Sequence, residues 1–366
     1  MKTLIKGVDL SSLSAIEECG GKYYLNNIET DCIEIMKLNN INLIRLRLFN
    51  NPYDENGKSY GAGNCDLKGV IETAKKVKDK GLDWYLDFHY SDCWADPGKQ
   101  RMPKKWVGLN IDELEKELYE YTYDVLSKLK ELNLNPSVVS IGNEITNGIC
   151  WPIGHKDNFE NLVRLLNAGI EATKQVMPES KIMLHLDNGG RNDIYQNFFD
   201  KYFKLGGLDF DIIGLSYYIF WHGQIQGLID NLKDLSTRYN KDLMVVEVSY
   251  AFTDKDYKEY EKLEDSQRKG MATKPELLQN LPFEVSEDGQ AQYMKYIMDI
   301  ISDTPRCLGF VYWGGEDIPV PGVSWASQEG IDYMKEKGPG GHEWCNQALF
   351  DYDGNALKIL EVIKEY

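Results

Sequence analysis

The sequence predicts a single α/β domain, a (β/α)8 TIM barrel that spans residues 1–366. Three observations lead to this prediction. Short apolar runs rich in Val and Ile alternate with longer amphipathic segments along the chain. These runs number eight, the strand count that closes a parallel sheet into a barrel. No internal repeat or low-complexity tract marks the start of a second domain.

The predicted strands are short runs of mostly apolar residues. Such continuous runs are typical of parallel strands, because helices cover the sheet and leave neither face in water. In chain order the runs occupy residues 4–10, 41–49, 82–88, 137–142, 182–186, 211–217, 243–249 and 307–313. No GxGxxG pattern follows the first run, which argues against a dinucleotide-binding sheet.

The segments between strands carry apolar residues at spacings of three and four, which predicts helices packed against the sheet. The clearest of these segments are residues 66–80, 111–132, 159–177, 224–239 and 289–302. Asn110 and Glu113 have the spacing of a capping box at the start of the second one. The longest irregular stretches, 252–289 and 314–346, follow the seventh and eighth strands, where barrel loops build active sites.

The charge balance excludes several classes of partner. The chain has 41 Lys and Arg against 58 Asp and Glu, a formal net charge of −17. A field of that sign repels phosphate backbones and anionic lipid headgroups, so we expect neither nucleic acid nor membrane as a partner. A neutral ligand fits best, and we expect the protein to act as a monomer.

The cysteines and histidines form no recognisable metal or redox motif. The seven cysteines are scattered singly, and the five histidines show no HExxH-like spacing, so this pattern predicts no metal or cofactor. The first residues, MKTLIKGVDLSS, lack the apolar stretch of a signal peptide. As it stands, the sequence predicts a cytoplasmic protein, or a secreted one from which a leader was removed.

Two glutamates lie at the ends of predicted strands. Glu144 follows the fourth strand in Ile-Gly-Asn-Glu, and Glu247 ends the seventh in Val-Val-Glu. The ends of strands four and seven face each other across the mouth of an eight-stranded ring. Each glutamate alone could be a solvated or salt-bridged strand end. Together they predict the carboxyl pair of a glycoside hydrolase, in which one protonates the leaving oxygen and the other attacks carbon or activates water.

Other strand ends supply polar and aromatic side chains around this pair. Arg45 and Arg47 share one face of the second strand, and a charge inside a barrel needs a partner. The third and fifth strands end with Asp87, His89, His185 and Asp187, which could instead bind a metal, as in barrel amidohydrolases. That class usually shows HxH on its first strand, whereas this strand reads Gly-Val-Asp-Leu. The loops after strands contain further aromatic residues that suit sugar stacking or lid anchoring: Trp94, Trp106, Trp151, Trp221, Trp325 and Trp344.

Over nearly its whole length the sequence resembles the arabinogalactan endo-β-1,4-galactanases, glycoside hydrolase family 53 of the retaining barrel clan A. The resemblance rests on GVDLSSL, INLIRLRLF, LDFHYSDCWADPGKQRMPKKW, IGNEITNGICWP, LHLDNGG, FDIIGLSYYIFW, VVEVSY and NQALFDYDGNAL. It implies that Glu144 is the general acid/base, Asn143 the partner of the substrate 2-hydroxyl and Glu247 the nucleophile. It also implies that several residues surround the reacting sugar: Arg45, Asp87, His89, His185, Asp187, Tyr217 and Trp313. With the loop residue Trp94, these form the predicted site for neutral β-1,4-galactan.

Two departures from the family pattern fall in loops. The family typically continues its eighth strand as Trp-Glu-Pro-Ala-Trp, whereas here Trp313 precedes Gly-Gly-Glu-Asp, and residues 255–279 form a charged insertion. Some bacterial members hold a structural calcium between these loops. This chain has carboxylates there but no DxDxDG-like pattern, so the sequence leaves open whether it binds calcium. A β-mannanase or cellulase of the same clan, or a carbohydrate-binding barrel without activity, are the alternatives to a galactanase.

Overall fold

The computed structural model describes residues 4–257, 275–278, 281–337 and 340–366. Eight parallel strands form a closed barrel in which each strand pairs with its neighbours in the sequence and the first strand also pairs with the last. The strands are β1 Ile5–Asp9, β2 Leu43–Leu48, β3 Asp83–Phe88, β4 Val138–Ile141, β5 Lys181–Leu186, β6 Ile212–Ser216, β7 Asp242–Val248 and β8 Cys307–Tyr312. The predicted (β/α)8 barrel is confirmed.

Helices of the described ranges surround the barrel. They are α1 Leu13–Glu18, α2 Cys32–Leu38, α3 Leu67–Asp79, α4 Ile111–Glu131, α5 Phe159–Val176, α6 Asn192–Lys204, α7 Ile225–Arg238, α8 Glu287–Asp303, α9 Gln328–Met334 and α10 Lys358–Glu365. The structure confirms the predicted helices α3, α4, α5, α7 and α8, and it confirms the capping box of Asn110 and Glu113. Among the described residues, no helix has the length and apolar character needed to cross a bilayer.

Some helices of the structure lie outside the segments that the sequence predicts as helical. Helix α6 buries an aromatic stripe of Tyr195, Phe198, Phe199 and Tyr202, and aromatic residues favour strands as much as helices. Helix α9 lies inside the stretch 314–346 that the sequence predicts as irregular, so that prediction is wrong there; its seven residues are too few to establish a helical period. Most of the predicted charged insertion at 255–279 lies outside the described residues.

The barrel interior changes from apolar to polar along the strands. A layer of inward-facing apolar side chains fills the lower part: Leu43, Tyr85, Val138, Met183, Ile212, Met244, Val246 and Val311. Two residues further along their strands, and therefore on the same face, lie Arg45, Asp87, Ser140 and His185. The larger core fills the space between the strands and the helices. This arrangement places the polar layer at the carboxyl ends of the strands.

Candidate active site

Glu144 and Glu247 lie together at the carboxyl end of the barrel. Glu247 is part of β7, and Glu144 follows β4. A carboxylate oxygen of Glu144 and one of Glu247 lie within 4.8 Å of each other. The two residues are only 8% and 5% exposed. The structure therefore brings the two predicted carboxyl groups to one point, with little access to water.

Both carboxylate oxygens of Glu247 accept a hydrogen bond. The guanidinium of Arg45 donates to Oε1 at 2.8 Å, and the hydroxyl of Tyr218 donates to Oε2 at 2.7 Å. Hydrogen bonds of this kind, one of them from a cation, stabilise the charged form of a carboxyl group. The Glu247 side chain is thereby held in one orientation.

Glu144 has the opposite environment. Burial raises its pKa well above the ordinary value, and the charges of Glu247 and Asp187 raise it further. A hydrogen bond with Ser216 acts in the other direction but does not outweigh these effects. The same serine hydroxyl lies 2.8 Å from Nε2 of His185. The two carboxyl groups thus lie in different surroundings: Glu247 accepts two hydrogen bonds, whereas burial and neighbouring charges favour the neutral form of Glu144.

Arg45 holds several of these groups in place. It is fully buried, and its Nη2 donates to Asp87 at 2.8 Å and to the Asn143 side-chain oxygen at 2.7 Å. Its Nη1 also lies 3.4 Å from Asp9, in addition to its bond with Glu247. A buried cation is tolerated only when it is paired, and here it is paired with three carboxylates. Burial lowers and the carboxylates raise the pKa of Arg45, and the carboxylates prevail.

A cleft opens above the two glutamates, with a volume of about 810 Å³ including its open mouth. Its walls combine five large aromatic side chains with six charged ones. The lining residues are Arg47, His89, Trp94, Ala95, Asp96, Lys99, Asn143, Glu144, Tyr218, Glu247, Trp313, Trp325, Glu343 and Trp344. Aromatic faces beside a carboxyl pair suit a neutral sugar, whose C–H groups stack on rings.

Comparison with known proteins shows the family to which this chain belongs. The chain matches the family Glycosyl hydrolase family 53 over residues 5–363. The chain belongs to this family. It is therefore a glycoside hydrolase, and the resemblance seen in the sequence is confirmed.

Members of the family with curated names align over most of the chain. The endo-beta-1,4-galactanase of Bacillus subtilis (strain 168) is 35% identical, over 99% of this chain and 86% of that protein. The arabinogalactan endo-beta-1,4-galactanase of Thermothelomyces thermophilus is 34% identical over 98% of both chains. The solved structure of an Ignisphaera aggregans GH53 catalytic domain superposes with a TM-score of 0.89 at 40% identity. That superposition covers 98% of this chain and 95% of the other.

Not every residue predicted around the sugar reaches the cleft of this family 53 chain. His89, Trp94, Asn143 and Trp313 line it. Four others lie outside the lining and are almost fully buried: Arg45, Asp87, His185 and Asp187. They lie next to residues that line the cleft, so we assign them a supporting role for the two glutamates.

The structure corrects the prediction for Tyr217. This residue is fully buried outside the cleft, and its hydroxyl donates to the backbone oxygen of Gly223 at 2.9 Å. Its neighbour Tyr218 lines the cleft and binds Glu247 instead. Successive side chains of an extended chain point to opposite faces. Ser216 faces the barrel interior, so Tyr217 points outward and Tyr218 points inward again.

His89 and His185 take part in hydrogen bonds. His89 Nδ1 accepts from the Ala95 amide at 3.2 Å, so its proton is assigned to Nε2, which lies 3.1 Å from Asp87. Burial tends to raise the pKa of Asp87, but Arg45 and His89 together hold it below its usual range. Of the four residues proposed for a metal, only His185 belongs to a group of three possible ligands in the described ranges, and its partners there are Glu144 and Glu247. The geometry disfavours the amidohydrolase interpretation.

Some family members hold a structural calcium, and the described parts of the corresponding loops were compared with what that ion needs. Calcium takes about six to eight oxygen ligands. In the described parts of the loops after β7 and β8, no three carboxylates come within 4.8 Å of one another. Residues 258–274 of the loop after β7 lie outside the described ranges. Since backbone carbonyls and water can also bind calcium, whether this chain holds a structural calcium stays open.

The loop tryptophan Trp94, beside the cleft, is held by polar contacts. The Trp94 indole N–H donates to the Trp325 backbone oxygen at 2.7 Å. The Arg47 guanidinium lies 4.4 Å from the centre of the Trp94 ring and 3.4 Å from Asp9. The ring of Trp94 is thus stacked on a buried cation and cannot rotate freely. Trp106, in contrast, is buried and anchors the loop that contains it.

The sequence did not single out Asp96, Lys99 and Gln100. Asp96 and Lys99 line the cleft from a tight turn, in which their backbones form two mutual hydrogen bonds of 2.8 and 2.9 Å. The Asp-Pro-Gly-Lys sequence signals that turn, but a turn alone does not reveal which groups it faces. Gln100 lies below the turn, against the backbone of the residues that follow β4.

Proposed function

We propose that the chain is an endo-acting β-1,4-galactanase that cleaves with retention, with Glu144 as general acid/base and Glu247 as nucleophile. The observation that supports this most is the approach of their carboxylate oxygens to within 4.8 Å. Retaining glycosidases hold their carboxyl groups about 5–5.5 Å apart, whereas inverting ones need about 6.5–9.5 Å to admit a water. The spacing therefore favours direct attack by a carboxylate.

In the first step Glu247 attacks the anomeric carbon while Glu144 protonates the oxygen of the departing sugar. The carbon–oxygen bond to the leaving group breaks, and an ester between Glu247 and the sugar forms. The raised pKa of Glu144 keeps its proton available. Asn143 lines the cleft, and its Nδ2 donates to the Ala95 oxygen at 2.8 Å. The second N–H of that amide is free to donate to the 2-hydroxyl of the sugar.

In the second step a water replaces the departed sugar. Glu144, now a carboxylate, takes a proton from this water, whose oxygen attacks the anomeric carbon and releases Glu247. Two inversions give net retention. Arg45 and Tyr218 stabilise the carboxylate that leaves. The reaction requires two carboxyl groups and water, and no cofactor.

The substrate assignment rests on the relatives and on the cleft. Proteins aligned over nearly the whole chain are named endo-beta-1,4-galactanases. The aromatic cleft and the net charge of −17 fit a neutral polysaccharide. Galactan differs from cellulose in the configuration at C4, whose oxygen forms the linkage, so the two chains differ in shape and a few contacts in the cleft can distinguish them.

A polysaccharide panel tests this function. The purified protein should release short galactooligosaccharides from β-1,4-galactan and much less from β-mannan or cellulose, as measured by chromatographic sizing of the products. NMR of the first product should show the β-anomer. Preferred cleavage of mannan or cellulose would contradict the substrate, and an α-anomer would contradict retention.

The protonation of Glu144 predicts the alkaline side of the pH profile. Only its neutral form donates a proton, so kcat/KM should be retained below its raised pKa and fall as pH rises through it. Glu247→Gln removes a negative charge that helps to raise the pKa of Glu144, and should therefore lower that pKa. Carbon-13 NMR titration of Glu144 in the wild type and the variant measures the change. An unchanged or higher pKa in the variant would contradict this electrostatic account.

A further inference from the structure

The backbone at Glu144 adopts a conformation that needs support. Its φ of 45° and ψ of 55° lie in the left-handed region, which is unfavourable for a residue other than glycine unless the surroundings stabilise it. This conformation ends β4 and aims the Glu144 side chain at Glu247. It also removes the backbone carbonyls of Asn143 and Glu144 from the sheet, so these buried acceptors require other donors.

Gln100 supplies a donor to both carbonyls. Its side-chain nitrogen donates to the Asn143 oxygen at 2.8 Å and to the Glu144 oxygen at 3.3 Å. Gln100 is 1% exposed and is absent from the residues that line the cleft. It can therefore influence catalysis only through the backbone that it holds.

The rest of the loop between residues 95 and 101 fastens the same segment. Asn143 donates to the Ala95 oxygen, and Asn147 donates to the Pro97 oxygen, both at 2.8 Å. The Gln100 backbone oxygen accepts from the Trp151 amide at 2.7 Å. These contacts run along the chain before and after Glu144, so the loop after β3 acts as a clamp on the loop after β4.

We propose that Gln100 is a positioning residue for proton transfer by Glu144. Without its amide, the left-handed turn loses the donor that satisfies both carbonyls, and the Glu144 carboxyl group moves away from the leaving oxygen. The inference rests on the proposed role of Glu144 as acid/base. It adds that the side-chain amide of Gln100, in the loop after β3, fixes the orientation of the Glu144 carboxyl group.

A leaving-group comparison tests the proposal. Gln100→Met keeps the length of the side chain and removes its donor. On β-1,4-galactotetraose, whose leaving oxygen needs a proton, kcat/KM should fall about 10²-fold, the cost of roughly 1 Å of misplacement. On 2,4-dinitrophenyl β-1,4-galactobioside, whose leaving group needs no proton, kcat/KM should fall less than about threefold. A simple loss of folded protein would lower both values equally.

Gln290 provides a matched control. It is fully buried, and its side-chain nitrogen donates to the backbone oxygens of Tyr250 at 3.0 Å and Ala348 at 2.9 Å, neither of which lines the cleft. Gln290→Met should reduce stability but leave the ratio of the two kcat/KM values at the wild-type level. If Gln100→Met does not fold, Gln100→Asn, which retracts the amide by one carbon, should show a smaller loss confined to the tetraose.

The outcomes separate this inference from the proposed function. If the wild type hydrolyses neither substrate, the proposed function is wrong. If the wild type hydrolyses both and the Gln100 variants lose equally on both, or lose nothing on the tetraose, Gln100 does not position the acid. A loss confined to the tetraose supports the inference.

Discussion

Glu247→Ala and Glu144→Ala should each reduce kcat on β-1,4-galactotetraose by at least about 10³-fold. Glu247 lies beside the anomeric carbon in the proposed reaction, with both oxygens oriented by Arg45 and Tyr218. Its loss removes the nucleophile of the first step. The loss of Glu144 removes the proton donor of the first step and the base of the second.

Azide distinguishes the two roles. In Glu247→Ala, azide can occupy the space of the lost carboxylate and attack a dinitrophenyl β-galactobioside from the α-face, which gives an α-glycosyl azide. In Glu144→Ala the same substrate still forms the ester with Glu247. Azide then attacks that ester from the β-face and gives a β-glycosyl azide. Proton NMR of the isolated azides reads the configuration directly.

Glu316→Gln serves as a control for loss of a buried carboxylate at this end of the barrel. Glu316 is 1% exposed and accepts from the Ser12 amide at 2.7 Å, but it does not line the cleft. This variant should keep most of the activity and should not respond to azide. Exchanged azide products, α from the Glu144 variant and β from the Glu247 variant, would reverse the assigned roles. Near-normal activity in either alanine variant would overturn the mechanism.

The sequence predicts the barrel and the location of the glutamates because both depend on short-range patterns. Apolar runs mark strands that helices cover, and a polar residue at the end of such a run must lie at the barrel mouth. The positions of Glu144 and Glu247 follow from counting strands. Their roles do not, since spacing leaves the two carboxyl groups equivalent. The two donors to Glu247 and the raised pKa of Glu144 distinguish them, and both arise from tertiary contacts.

Contacts between distant loops explain what the sequence could not show. Tyr217 and Tyr218 are adjacent and chemically identical, and both follow Ser216, the last residue of β6. Only the direction of the Ser216 side chain in the folded barrel shows which of the two faces inward. Gln100 belongs to no strand end or periodic stripe. Its importance appears only when the loop after β3 is seen against the backbone of Glu144.

Arg45→Met should destabilise the folded protein by about 3–5 kcal/mol at neutral pH, the usual cost of removing one partner from a buried ion pair. The variant leaves Asp9, Asp87 and Glu247 without the cation that they share. Activity should fall as well, because Glu247 loses one of its two donors. The unfolding free energy from urea titrations, compared with the wild type, measures the effect on stability.

The pH dependence of this loss identifies its electrostatic origin. In the wild type Arg45 and His89 hold the pKa of Asp87 below its unfolded value, so this group contributes stability above the unfolded pKa and loses it as pH falls. In Arg45→Met the carboxyl groups can become neutral by binding protons. The difference in unfolding free energy between wild type and variant should therefore shrink as pH is lowered.

Arg47→Met is the matched control for Arg45→Met. Arg47 is also buried on β2, but its nearest carboxylate atom, on Asp9, is 3.4 Å away, and its other contacts include the Ser12 hydroxyl at 3.0 Å and the Trp94 ring. Its replacement should cost less at neutral pH, since a single carboxylate loses a weaker partner. If the two variants lost equal stability, or if the Arg45→Met loss did not change with pH, packing and not charge would be the main role of Arg45. A pH-dependent loss specific to Arg45 would show that one buried cation holds the nucleophile and the barrel together.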